Sequence, residues 1–426
     1  MTTRVAYLVS QYPAVSHVFI EREVLGLRAR GVEVHTFSVR KPDPKTLHSE
    51  VMRAEAAATV VLQDDPKALA LGNARLASSQ LKSYAKALKQ ALRSGELGLK
   101  QRTWQVFYLA EAVKLYETMR ERGLRHVHAH FANNGADIAR LAVALGRAID
   151  GPDAGWCWSF SMHGPTEFEE VTAFDLAAKT EQADGVACIT DFTRSQLMRM
   201  VDPEVWPRLE IVHMSVEPER FPVPASREHD GPLRILDVGR LVPEKGGPIL
   251  VDAVAQLKER GVDVQVRFVG AGALMERLQA EIDRRGLADR IELLGNRSQE
   301  EILEQYHWAD VFVLPSFQEG LPVVIMEALS TGLPVVATRI NGIGELVVDG
   351  VTGRLLTPGR SDLVAEAIEQ LAGDPQLRQR LGAAGREAVL EGYTTATTAA
   401  DMQRFLAGVQ QRVAQQGTAD RGQTRA

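Results

Sequence analysis

Cysteine is nearly missing from this chain: Cys157 and Cys188 are the only two in 426 residues. Two cysteines make no disulfide framework, and both sit in short apolar runs, so buried free thiols in a reducing compartment are expected. Net positive charge is lacking as well. A formal charge of -6 gives no basis for general nucleic-acid binding. No apolar run approaches the roughly 20 residues needed to cross a bilayer. The start, MTTRVAYLVSQYP, has too short an apolar stretch for a signal peptide, so a cytoplasmic location is expected.

What is present is an alternation of short β-branched runs with longer helical patterns. Strands are expected at 4–10, 32–39, 59–62, 126–131, 157–163, 185–190 and 209–216, then at 234–238, 264–269, 291–294, 311–314 and 334–337. Helices are expected at 16–30, 66–93, 103–122 and 191–200, and between the later strands. Such alternation predicts an α/β fold with parallel sheets covered on both faces. The length asks for two domains of about 200 residues each. The Pro-rich, charged and aperiodic stretch EPERFPVPASREHDGP predicts a linker. The expected division is 1–217 as a first domain, 218–232 as linker and 233–394 as a second domain. A helix over 395–413 is expected to pack back on the first domain, followed by a tail without structure at 414–426. Two doubly wound domains would leave a ligand cleft at the carboxyl ends of their strands.

Two motifs carry chemistry. In SFQEGLPVVIMEALSTGLPVVAT (316–338), Glu319 and Glu327 stand eight residues apart in an otherwise apolar run. The strand before it and Pro322, placed to open a helix, put Glu319 in the strand-to-helix loop and Glu327 about two turns on, some 12 Å away. The backbone N–H groups of Gly320 and Leu321 suit an anion. An extended ligand would be held by hydroxyls at each carboxylate and by a phosphate between them. The bland alternative is a cap acid plus a solvated acid. In GRLVPEKGG (239–247), Arg240 at a strand end and Lys245 five residues later can grip a pyrophosphate, where the alternative is two ordinary surface cations.

Together with NGIGELVVDGVTGRLL, these motifs resemble the donor-binding half of the retaining, GT-B-fold glycosyltransferases of family 4, over residues 233–400. The segments QYPAVSHVFIEREV and HAHFANNGADIA are similar to the branch that builds bacterial exopolysaccharides, colanic-acid type included. The resemblance implies two Rossmann-like domains facing each other across a cleft. It implies transfer of a sugar from a nucleotide-diphosphate-sugar donor, UDP or GDP, to a hydroxyl of a lipid-linked glycan, with no cofactor and no metal. It assigns Arg240 and Lys245 to the departing diphosphate, Glu319 to the donor sugar, Glu327 to the ribose and His163, in SFSMHGPTEF, to the transferred sugar. It adds Gly239, Asn296, Gly320, Leu321 and Pro322 as donor contacts, with the base near 295–297. Where many relatives carry a Gly-Gly pair after the first strand, this chain has Ser16 and His17, and Ser16 either donates to phosphate or acceptor or caps a helix.

Several features compete with this reading. GAGALMERL (270–278) half-resembles a dinucleotide fingerprint but has Met275 where the third glycine belongs. His126, His128 and His130 alternate along one strand, which permits a zinc site or a polar strand end. No Asp-x-Asp pair occurs, so the cations and not a metal are expected to meet the diphosphate. Between Lys67 and Arg102, eight basic residues face one acid, Glu96, with Leu69, Leu71, Leu76, Leu81, Leu88 and Leu92 interleaved. This stretch suits either an anionic membrane surface on the inner face of the cytoplasmic membrane or a solvated helix face. A nucleotide-sugar epimerase and a non-catalytic nucleotide-sugar-binding protein share the architecture; a glycan phosphorylase would need a pyridoxal phosphate lysine, for which no motif is present.

Overall fold

The computed structural model describes residues 3–14, 17–95 and 98–423, with side chains to residue 416. The chain forms two units. The first is Met1–His213 with Thr398–Ala426, and the second is Met214–Thr397.

The first unit is built on a seven-stranded sheet in the order β3-β2-β1-β4-β5-β6-β7, with every pairing parallel. Its strands are β1 (Arg4–Gln11), β2 (Glu33–Arg40), β3 (Val60–Val61), β4 (His126–His130), β5 (Cys157–Met162), β6 (Gly185–Cys188) and β7 (Leu209–Ile211). The central strands are buried along their whole length, which is why they read as apolar runs and not as alternating ones. One face is covered by Leu109, Val113 and Tyr116 of the helix Leu99–Glu121 and by Ile138, Leu141 and Leu145 of the helix Asn134–Ile149. The other face packs on Ile20, Val24 and Leu27 of the helix Val18–Ala29 and on Phe405, Leu406 and Val409. These last three come from the helix Thr395–Gln423, which lies so close to β6 that a Cβ at Gly185 would stand 2.5 Å from Val409 Cγ2. Both cysteines are buried and free.

The second unit holds a six-stranded parallel sheet in the order β10-β9-β8-β11-β12-β13. Its strands are β8 (Leu233–Val238), β9 (Val264–Val269), β10 (Ile291–Gly295), β11 (Val311–Leu314), β12 (Val335–Thr338) and β13 (Gly353–Leu356). The segment 217–232 belongs to this unit. It is held there by Arg227, whose guanidinium donates to Tyr306 O at 2.8 Å and Thr331 O at 2.6 Å.

Four expectations need correction. The stretch 66–93 is two helices, Pro66–Ser79 and Leu81–Ala91. Ser78 and Ser79 both donate their hydroxyls back to Arg75 O at 2.9 Å, and the chain leaves helical geometry at Gln80. The strand expected over 209–216 ends at Ile211, and β13, too short and polar to stand out, was not foreseen. The terminal helix continues to Gln423, through a run without proline, where a tail without structure was expected from 414.

Candidate active site

In the second unit the strand order reverses between β8 and β11, which lie side by side: Val311 pairs with Ile235 and Phe312 with Leu236. At such a switch point the loops leaving the two carboxyl ends diverge and a ligand can enter between them. The loop after β8 carries Gly239, Arg240 and Lys245. The loop after β11 carries Ser316, Glu319, Gly320, Leu321 and Pro322, and the helix Val323–Ser330 carries Glu327.

The two motifs meet through one ion pair. Lys245 Nζ donates to Glu319 Oε1 at 2.6 Å, and Ser316 Oγ donates to the same oxygen at 2.7 Å. Asn341 Nδ2 donates to Glu319 O at 2.5 Å, and the Phe317 N–H donates to Glu244 O at 2.7 Å. The loops can approach this closely because Gly246, at φ +69°, has no side chain: a Cβ there would lie 2.0 Å from Pro315 O. Glu319 is 7% exposed, so its charge is met by protein donors more than by water. An ammonium has three N–H groups, and Lys245 spends one of them on Glu319. Arg240 is exposed, and Glu327 is half-buried and accepts from Tyr306 OH at 3.0 Å. Among the described residues the N–H groups of Gly320 and Leu321 make no hydrogen bond within the protein. Asn296 is exposed after β10, an edge strand separated from β8 by β9. Ser16 lies outside the described residues.

The half-fingerprint at 270–278 has a packing explanation. A Cβ at Gly270 would stand 2.0 Å from Gly239 O, and one at Gly272 would stand 2.4 Å from Leu241 O. These glycines let the end of β9 lie against the loop after β8, where Gly239 N–H donates to Val269 O at 2.9 Å.

In the first unit His163 follows β5. It is buried against the Phe131 ring at 4.6 Å and the Phe19 ring at 5.0 Å. Burial, with His130 and His17 adding to it, pushes its pKa well below the usual imidazole value, so it is a neutral ring at physiological pH. One ring nitrogen, Nε2, lies 3.1 Å from His130 Nδ1. The histidine row of β4 is buried and no polar strand end. His126 and His128 share Ser159 Oγ at 2.8 Å each, and His128 also reaches Ser161 Oγ at 3.0 Å. Glu23, His128 and His130 place potential ligand atoms within 4.8 Å of one another. Both nitrogens of His128 are already engaged with serines, and Glu23 accepts from Tyr7 OH at 2.7 Å. His130 turns its Nε2, which makes no hydrogen bond, toward Glu23 Oε1 at 3.4 Å.

The family model for glycosyl transferases group 1 matches residues 221–388. An alpha-D-kanosaminyltransferase of Streptomyces kanamyceticus is 32% identical over 280 residues, covering 62% of this chain and 71% of that protein. The chain belongs to the group 1 glycosyltransferases. A putative colanic acid biosynthesis glycosyltransferase, WcaL of Escherichia coli K12, is 28% identical over 373 residues, covering 86% of this chain and 89% of WcaL. Among solved structures, Anabaena HepE in complex with UDP shares the fold at a TM-score of 0.72, with 18% identity, covering 96% of this chain and all of that one. The two doubly wound units of this group 1 glycosyltransferase are thus of the GT-B class.

Three side chains around the clamp escaped the sequence reading. Ser316 and Tyr306 were passed over because serine and tyrosine at strand and helix ends carry no signal of their own. Asp237 had a signal, an acid inside the apolar strand LRILDV two residues before Gly239. It is 2% exposed, and its Oδ2 has no hydrogen-bond partner. Burial raises its pKa from 3.8 to about 7, with Glu319 adding to the rise and Lys245 opposing it. A carboxyl raised on folding binds its proton more tightly in the native state. Stability is therefore fully present below 3.8 and declines as pH rises from there to about 7. Asp237→Asn is expected to remove that decline, which urea midpoints of the two proteins across this range would reveal.

Proposed function

We propose that this glycosyltransferase moves a sugar from a nucleotide-diphosphate-sugar donor, with retention of configuration, to a hydroxyl of a lipid-linked glycan in exopolysaccharide or cell-surface polysaccharide synthesis. The observation that carries the reading is the 2.6 Å Lys245–Glu319 pair at the switch point of the second sheet, beside the exposed cation Arg240. A cation that is already oriented by a buried carboxylate, with two N–H groups left, is suited to the charge that develops on a departing diphosphate. Glu319 and Glu327 accept from hydroxyls of the donor sugar and of the ribose, and the N–H groups of Gly320 and Leu321 meet a phosphate oxygen. His163, held neutral, offers a hydrogen bond to the transferred sugar without adding charge. In the transfer, the bond from the sugar's anomeric carbon to the diphosphate oxygen breaks. The acceptor oxygen bonds to that carbon on the same face, and the acceptor's proton leaves with the diphosphate.

That HepE has been crystallised with UDP and with UDP-glucose supports a nucleotide sugar as donor. Relatives named for colanic acid and amylovoran synthesis support the polysaccharide setting. Among the described residues no helix is long and apolar enough to cross a membrane, so a lipid-linked acceptor would be met by peripheral contact. The test is release of nucleoside diphosphate by purified protein given a nucleotide sugar and membrane lipid extract as acceptor. Acceptor-dependent release is expected; conversion of donor to an epimer without acceptor would overturn the reading. With Arg240 and Lys245 taking the part of a metal, a chelator is expected to leave the rate unchanged in that assay, and its abolition would contradict this.

A further inference from the structure

The helix Leu99–Glu121 has an apolar face that the fold does not use. Its inner stripe, Gln105, Leu109, Ala112, Val113 and Tyr116, is buried. Lys100, Trp104 and Phe107 stand at i, i+4 and i+7, on the opposite side. Trp104 is 52% exposed, Phe107 56% and Leu99, at the helix start, 84%. The two rings lie together, centroids 5.9 Å apart, and Trp104 also stacks over Tyr108 at 6.4 Å. Large aromatics left open side by side at a helix end mark an interaction surface.

The surroundings of the patch name its partner. All eight cations of residues 67–102 are exposed. Five ride on the helices Pro66–Ser79 and Leu81–Ala91, which are packed on Leu99–Glu121; Arg93 stands in the turn after the second of these, and Lys100 and Arg102 lie on the first turn of Leu99–Glu121. Asn73 Nδ2, for example, donates to Ala110 O at 3.1 Å. Of the interleaved leucines of 66–93, Leu76 is buried and Leu88 packs against the core, while Leu71 and Leu81 are 72% and 68% exposed and add apolar surface among the cations. A second copy of this chain would bring the same cations face to face, whereas an anionic surface complements them. Trp is an interfacial residue, apolar in body and polar at its N–H.

We propose that Leu99, Trp104 and Phe107 form a wedge that inserts into the headgroup region of an anionic bilayer, with Lys100, Arg102 and the cations of the two preceding helices as its collar. The wedge rests on the reading of a membrane-borne acceptor and gives that acceptor's membrane a docking point on the first unit.

The test is sedimentation of the full chain with phosphatidylcholine vesicles, with or without about 30% phosphatidylglycerol. The wild type is expected to pellet only with the anionic vesicles, and less as salt rises. Trp104→Ala with Phe107→Ala is expected to weaken binding about 10-fold or more, since two exposed rings lose their burial in lipid. Wild type that stays in the supernatant with anionic vesicles would overturn the proposal. So would a double variant that binds as well as wild type, or one whose only change is conversion of a dimer to a monomer on gel filtration. Stabilisation by nucleotide sugars, read on the same samples, reports on the donor site separately: its loss in wild type would sink the donor reading and leave the vesicle result standing.

Discussion

Glu319→Gln is expected to lower kcat/KM by about 10²- to 10³-fold, the magnitude of losing a charged hydrogen-bonding group aimed at the reacting end of a substrate. The side chain would keep its shape, and Ser316 and Lys245 would still find an amide oxygen. The charge that orients the Lys245 ammonium and receives sugar hydroxyls would be gone. The fold should tolerate the change. Glu319 stands in a loop anchored independently by the bond from Asn341 Nδ2 to its backbone oxygen and by Gly246 under Pro315. Lys245, with its side chain 21% exposed, can turn to water when its partner is neutral. A cost near 1 kcal/mol, a shift of about 2–4 °C in Tm for a unit of this size, is the expectation. Lys245→Ala should be comparably damaging, and the double variant no worse than the sum, because the two residues act as a pair. Steady-state kinetics of the three variants would check this; near-normal turnover in either single variant contradicts the clamp.

Lys179→Met is expected to be the most destabilising single change, by about 3–5 kcal/mol, which is a large part of the 5–15 kcal/mol that holds a typical domain folded. Lys179 is 1% exposed and donates to Asp137 Oδ2 at 2.8 Å, to Ala132 O at 2.7 Å and to Asn133 O at 3.3 Å. Removing the ammonium would strand the buried Ala132 carbonyl and leave Asp137 with Arg140 alone, at 2.8 Å, while Asn133 O keeps the Ala136 N–H at 3.1 Å. This network fixes the chain just after β4, where Phe131 lies against His163, so residual activity should fall along with stability. Urea denaturation of the variant measures the loss. A midpoint within experimental error of wild type would show that Arg140, which also donates to Asp175 Oδ2 at 3.0 Å, suffices to hold the loop.

The sequence made the second unit more legible than the first, for a physical reason. A donor clamp needs cations and carboxylates in glycine-bearing loops at strand ends, and those residue types stand out against apolar strands. Glu319, Lys245 and Arg240 could be picked out that way, and five of the six strands of that sheet lie where the β-branched runs are. Asp237 was equally visible but was read as part of a strand. The first unit hides its design in burial. His128 and Lys179 are polar residues inside the core, and nothing in HVHAHF or LAAKTEQ tells whether the side chains meet water, a metal or a serine. The helix break at Gln80 likewise depends on two serine hydroxyls turning back on the backbone, a local competition that periodicity does not register. The aromatic wedge was missed because Trp104 and Phe107 lie in a helix whose buried and open faces are both apolar, so pattern alone does not say which face is inward.

The most direct test of the central claim, that Lys245 and Glu319 hold a nucleotide-sugar diphosphate, is thermal stabilisation of the purified protein by UDP-, GDP-, ADP- and TDP-sugars with chelator present. The account predicts a rise in Tm with one nucleotide class, undiminished by chelator and lost in both Glu319→Gln and Lys245→Ala. A rise that persists in the two variants, or that requires a divalent metal, would contradict it.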